Sequence, residues 1–145
     1  MIWNNISADV RFCLWKKLRT DIMELTLEEQ VGKVAEFCSS MPIGARSLDY
    51  FNPESWPTPW EILYHSSFCT SSISLLIFYT LVIVNPDINI EMWLVKDNSG
   101  DYLLPVINDQ FVLNYQHGTV SKCQDIQEYF VTMQKYSKSQ IKSIT

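Results

Sequence analysis

The sequence predicts an α+β fold in one domain spanning residues 1–145. The expected architecture is N-terminal helices, a buried central helix packed on a three-stranded antiparallel meander, and a C-terminal helix. Three observations carry this reading. Apolar residues recur at helical spacing through the first half of the chain, capping boxes mark helix starts, and after Pro86 the apolar period changes to two. With 145 residues, 47% of them hydrophobic and 19% charged, the chain is long enough to bury a core without disulfide or metal staples.

Ser7 is an N-cap residue ahead of Val10, Leu14 and Leu18, whose spacing predicts a helix over 8–19. Thr26 and Glu29 form a capping box, and Leu27, Val31, Val34, Ala35 and Cys38 make the apolar stripe of a second helix that Pro42 and Gly44 end. The proline-rich stretch 42–59 reads as a loop pinned to the body by Tyr50, Phe51 and Trp56. Thr58-Pro59-Trp60-Glu61 combines an N-cap threonine, a proline at the first helical position and a glutamate at the third, so a short helix runs through about His65. Ser66, Ser67, Thr70, Ser71 and Ser72 then surround Cys69, and small hydroxylic residues favour caps and turns. Cys69 is therefore expected near the start of the central helix, over 72–84. The apolar run from Ile73 to Val84 is shorter than the roughly 20 residues a membrane span needs, so it reads as a core helix.

Beyond Pro86, Ile88, Ile90, Met92 and Leu94 alternate with Asn89, Glu91, Trp93 and Val95, and Asp97-Asn98-Ser99-Gly100 supplies a turn into a return strand over 102–107. Asn108-Asp109 makes a second turn before Phe111, Val112, Leu113 and Tyr115. Pro105 implies an edge position or a bulge. Ser121 and Gln124 have capping-box spacing, and Ile126, Tyr129, Phe130, Met133 and Tyr136 form the stripe of the closing helix.

Composition excludes several functions. The four glycines, Gly32, Gly44, Gly100 and Gly118, fit neither a dinucleotide fingerprint nor a P-loop. A net charge of -5 lacks the attraction to phosphate that nucleic-acid binders use, so no nucleic-acid partner is expected. Residues 1–5 carry no basic stretch and no apolar run, which predicts a protein that is cytoplasmic when synthesised and not secreted. Cys13, Cys38, Cys69 and Cys123 are scattered without a C-x-x-C pair, the pattern of reduced thiols and not of a zinc site. His65 and Cys69 have no companion at ligand spacing, and neither metal nor cofactor is expected.

A buried helix with a cysteine in its first turn, followed by the hairpin of residues 90–105, resembles the catalytic core of the transglutaminase-like and papain-like cysteine hydrolases. The resemblance covers residues 56–116. It implies a Cys69 thiolate readied by the partial positive charge of a helix N-terminus, a histidine from the first strand after the helix, and an acidic residue from the next. Glu91 falls near the histidine position and Leu104 near the acid, so the resemblance implies a degenerate site. His65, four residues before Cys69, and His117, beyond the third strand, are the two imidazoles able to serve the thiol. Glu91 with Asp97 or Asp101 is a weaker carboxylate pair for acid and base work.

The missing strand partners favour a non-catalytic structural or binding protein on this scaffold, held among other protein chains, with no membrane partner. Tyr50, Phe51, Trp56 and Trp60 are its expected contact residues, because aromatic side chains carry much of the binding energy at interfaces. Residues 55–63 resemble a tailed-phage protein, which implies a virion component. The alternative is a hydrolase or acyltransferase with Cys69 as nucleophile and His117 or His65 as base.

Overall fold

The N-terminal half folds into four helices because each start carries its own cap. In the computed structural model, which describes residues 3–44, 48–65 and 68–143, the Ser7 side chain accepts the Val10 amide and opens α1, Ala8–Ile22. Its buried residues are Arg11, Trp15 and Ile22, whereas Val10 is 44% exposed, so the expected Val10–Leu14–Leu18 stripe is displaced round the helix. Polar anchoring explains the rotation: the Trp15 indole donates to Thr80 Oγ1 at 2.8 Å, and Arg11 binds backbone carbonyls. Both halves of the Thr26–Glu29 box open α2, Leu27–Ser39, which buries Val31, Val34, Ala35 and Cys38. Both halves of the Thr58–Glu61 box open α3, Pro59–Tyr64.

The central helix α4, Thr70–Val84, buries every residue from Ser71 to Leu81. Helices α1, α2 and α3 pack on it from one side and strands β1, Ile90–Asp97, and β2, Gly100–Ile107, from the other. Strand β3, Phe111–Leu113, completes the expected meander, but the sheet has five strands and not three. Adding β4, Val120–Lys122, and β5, Val131–Ser137, gives the order β4-β3-β2-β1-β5, with antiparallel neighbours throughout. Alternation divides the side chains. Ile90, Met92, Leu94, Leu103 and Ile107 join the core around α4, while Trp93, Val95, Leu104, Val106 and Val112 form a second core with Cys123 and Phe130. Pro105 pairs with Met92 but lies past the end of β3, whose ladder reaches only Val106 and Ile107, which fits its missing amide proton.

The C-terminal helix is a single turn, α5 at Cys123–Ile126, whose N-cap Lys122 makes no side-chain cap; the expected Ser121–Gln124 box does not form. Residues Val131–Ser137, expected to continue that helix, are strand β5. The stripe Ile126–Tyr136 has helical spacing, but pairing with the open edge of β1 satisfies backbone groups that a solvent-exposed helix would not cover, and it overrides local periodicity. No described helix is long and apolar enough to cross a membrane.

Candidate active site

Cys69 is the N-cap of α4. Its Sγ accepts the Ser72 amide at 3.3 Å and lies 3.1 Å from Ser72 Oγ, so sulfur does the work that a serine oxygen does at an ordinary cap. The first intrahelical bond runs from the Ile73 amide to the Cys69 carbonyl at 3.1 Å, which leaves the Thr70 and Ser71 amides outside the helical ladder. The thiol is partly accessible, unlike Cys38, which burial pushes up to about 12. The chain entering the site is fixed one residue earlier. Phe68 is buried edge-on to Trp3, pairs with Ile43 in a parallel bridge, and accepts the Gly44 amide on its carbonyl.

Two further segments converge on the first turn of α4. Ser71 Oγ donates to Tyr50 Oη at 3.0 Å, and Tyr136 Oη donates to the Tyr50 carbonyl at 2.8 Å, which ties the proline-rich loop to the helix and to β5. On another side stands loop 114–119, closed by Asn114 N–H to the Thr119 carbonyl at 3.1 Å and Thr119 N–H to the Gln116 carbonyl at 3.0 Å. Asn114 is 3% exposed, has φ 66°, and donates through Nδ2 to the Thr70 carbonyl at 2.9 Å and to Ser74 Oγ at 2.8 Å. Gly118 has φ 76°, and a Cβ there would lie 2.5 Å from Ser39 Cβ, so only glycine lets the loop wedge against the end of α2. His117 stands between these two anchors, half-buried, with Nδ1 buried and without a hydrogen-bond partner. Asn114 and Gly118 were missed by pattern reading; their one signal was that asparagine and glycine are the residues that tolerate positive φ.

His65 is the C-cap of α3, half-buried and edge-on to Tyr64 at 5.5 Å. Ser66 and Ser67, expected to break the chain before Cys69, lie outside the described residues. Neither β1 nor β2 carries a histidine. Glu91 accepts from the Trp93 indole at 3.1 Å, and Leu104 is buried in the second core. Asp97 is a turn acceptor, held below its ordinary range by Ser99 first and by Tyr115, whose hydroxyl lies 2.8 Å away; Asp101 is exposed and faces Lys96 across the hairpin. No group of three or more His, Cys, Asp or Glu among the described residues could hold a metal. Of the expected contact aromatics, Phe51 is 71% exposed and Trp60 47%, while Trp56 is wholly buried against Tyr136. A cavity of about 510 Å³ opens beside loop 114–119, lined by Asp97, Asn98, Ser99, Tyr115, Gln116 and Tyr129.

A cysteine capping a buried helix that packs on an antiparallel sheet defines the transglutaminase-like class of fold. The solved structures it matches include those of LapG of Legionella pneumophila. The calcium-bound form superposes with TM-score 0.76 at 13% identity over 92% of this chain and 77% of LapG, and the EGTA-treated form with 0.75 at 14% over 90% and 74%. A third LapG structure gives 0.74 at 13% over 90% and 74%. No protein-family profile and no curated protein matches the sequence. At this identity the likeness shows the fold alone, and three expectations are withdrawn beside it. The matched fold is that of LapG, and the non-catalytic virion scaffold with a degenerate site is withdrawn. The tailed-phage resemblance goes with it. The cytoplasmic, non-secreted assignment is withdrawn as well.

Proposed function

We propose that this chain is a hydrolase or acyltransferase of amide or ester bonds, with Cys69 as nucleophile. The observation that carries the reading is the Cys69 sulfur at the N-cap of α4, accepting the Ser72 amide, in a fold shared with LapG. An amide donor and the aligned peptides of the helix stabilise negative charge on sulfur. His117 is the base in this reading, because Asn114 ties its loop to the carbonyl of Thr70, the residue after Cys69. His65 is the second candidate.

The imidazole takes the thiol proton as Sγ bonds to the acyl carbon. The bond to the leaving amine or alcohol then breaks, and that group leaves with the proton. Water, or a second nucleophile in a transferase, attacks the thioester, passes its proton to the imidazole and frees the thiol. The amides of Thr70 and Ser71 are the donors available to the oxyanion. The test is a 4-nitrophenyl ester burst followed by intact-mass analysis. Stoichiometric acylation of Cys69, lost in Cys69→Ala and slowed in His117→Gln, supports the reading. Acylation confined to the exposed Cys13, or none, ends it.

A further inference from the structure

The turn between β1 and β2 holds a carboxylate whose two oxygens differ. Asp97 Oδ1 accepts three donors: the Ser99 amide at 2.8 Å, the Ser99 hydroxyl at 2.7 Å and the Gly100 amide at 3.2 Å. Oδ2 accepts one, the Tyr115 hydroxyl at 2.8 Å, and a carboxylate oxygen has lone pairs for more than one donor. These bonds, those from Ser99 first, hold the carboxyl below its ordinary range, so it is charged at neutral pH. Among the described residues no Lys or Arg pairs with it; the ion pairs there are Lys17–Asp21 and Lys33–Glu36. Lys135, on β5, lies instead over the Trp93 ring.

Asp97 lines the cavity of about 510 Å³, which has the size of a small-ligand site. Tyr115 stands in the same wall, half-buried and held edge-on to Tyr102 at 6.1 Å and to Phe130 at 5.5 Å. Tyr129 lines it too and is 61% exposed, and the side-chain amides of Asn98 and Gln116 add two carbonyl acceptors. An unpaired anion, an open aromatic ring and amide oxygens together suit a planar cation with several N–H donors. We infer that this cavity binds a guanidinium group, stacked on Tyr129 and donating one N–H to Asp97 Oδ2. The contact is end-on, because the three donors on Oδ1 leave no place for a two-point fork. An ammonium fits less well: it is more strongly hydrated and has no plane to lay on the ring. The site asks nothing of Cys69 and stands whether or not that thiol is a nucleophile.

The test is a ¹H–¹⁵N titration of the full chain, read at the Ser99 and Gly100 amides, which share Asp97 with the ligand, and at the Gln116 amide. The probe is N-acetyl-arginine amide. N-acetyl-citrulline amide has its shape without the charge, and N-acetyl-lysine amide has a charge without the plane. Saturable shifts at these amides are expected, with the arginine probe bound about tenfold tighter than the citrulline probe and also tighter than the lysine probe. Asp97→Asn should weaken it about tenfold and Tyr129→Ala about threefold, the size of a cation–π contact at an exposed site. Tyr129 is exposed, so its truncation leaves the fold intact, and unchanged affinity in Tyr129→Ala overturns the stacked guanidinium even where Asp97→Asn loosens the turn. Equal binding of the citrulline probe, equal or tighter binding of the lysine probe, or no shift at the three amides overturns it as well. Butylguanidinium, which has no peptide groups, separates the sources of the ligand: affinity matching the arginine probe assigns the site to a small guanidine, and weaker binding assigns it to an arginine of a polypeptide.

Discussion

Arg11 Nε donates to the carbonyl of Leu63 at 2.6 Å, across 52 residues of sequence. The same guanidinium reaches the carbonyls of Tyr64 at 2.7 Å, Ile6 at 2.6 Å and Trp3 at 3.3 Å, and the residue is 4% exposed. A cation on α1 thus gathers the last carbonyls of α3, immediately before His65, together with the N-terminal segment. Removing it leaves buried carbonyls without donors, and hydrogen bonds from charged donors are the stronger kind. Arg11→Ala is expected to cost about 3–5 kcal/mol in urea unfolding. Arg11→Lys should recover only part of that, since an ammonium cannot span the same fork. A loss below about 1 kcal/mol would show that water replaces the guanidinium.

Gly118→Ala tests the wedge that holds His117. Positive φ and a Cβ 2.5 Å from Ser39 Cβ both act against alanine, so a loss of about 1–3 kcal/mol is expected. Ser39→Gly in the same chain should restore part of it by clearing the Cβ in the way. Thermal melts of the two variants decide the point; equal stability of Gly118→Ala and the parent protein would disprove the tight approach.

Alkaline stability should track Cys38. Burial pushes its thiol from the ordinary 9.0 to about 12, so between those values the unfolded chain releases a proton that the folded chain keeps. The folded state then binds more protons, and stability falls as pH rises through this window, by up to about 1.4 kcal/mol per pH unit. Tyr79, raised to about 12 chiefly by burial and also by Glu61, acts in the same direction from pH 10 upward. Unfolding curves from pH 8 to 11 should show a shallower decline in Cys38→Ala than in the parent protein. Parallel declines would mean that the thiol ionises in the folded state.

Trp56 and Trp60 separate core from surface. Trp56 is wholly buried, packs edge-on to Tyr136 at 5.2 Å and donates to the Asp49 carbonyl at 2.8 Å. Trp56→Ala is therefore expected to cost about 3–5 kcal/mol, a core penalty. Trp60, 47% exposed and resting on Phe12 and Trp15, should cost well under half of that. Similar losses at both positions would contradict this division.

The legible parts of the fold are those that local chemistry decides. Thr26 with Glu29 and Thr58 with Glu61 open helices where their spacing says, and the apolar run after Cys69 is the buried α4. The alternation after Pro86 likewise gives β1 and β2 with the right turn between them. What was not legible depends on distant partners. The burial of Arg11 follows from carbonyls at positions 3, 6, 63 and 64, and no local pattern announces them. Strand β5 takes its conformation from the edge of β1, against its own helical spacing. In the site, Cys69 was readable as a helix-start thiol, but Asn114 and Gly118 depend on how closely a loop approaches two helix ends.

The place of β5 beside β1 gives this protein a timing problem during synthesis. Lys96 pairs with Val131, 35 residues later, and Glu91 with Ser137, 46 residues later. At about 5–20 residues per second, β1 emerges several seconds before its outer partner. For that interval the hairpin of β1 and β2 shows a bare hydrogen-bonding edge, an invitation to pair with neighbouring nascent chains. Tyr136, which arrives with β5, also brings the hydroxyl that fastens Tyr50 beside the first turn of α4. The wall around Cys69 is thus finished only once β5 has been made, so a product cut short before β5 would carry the thiol without its surroundings.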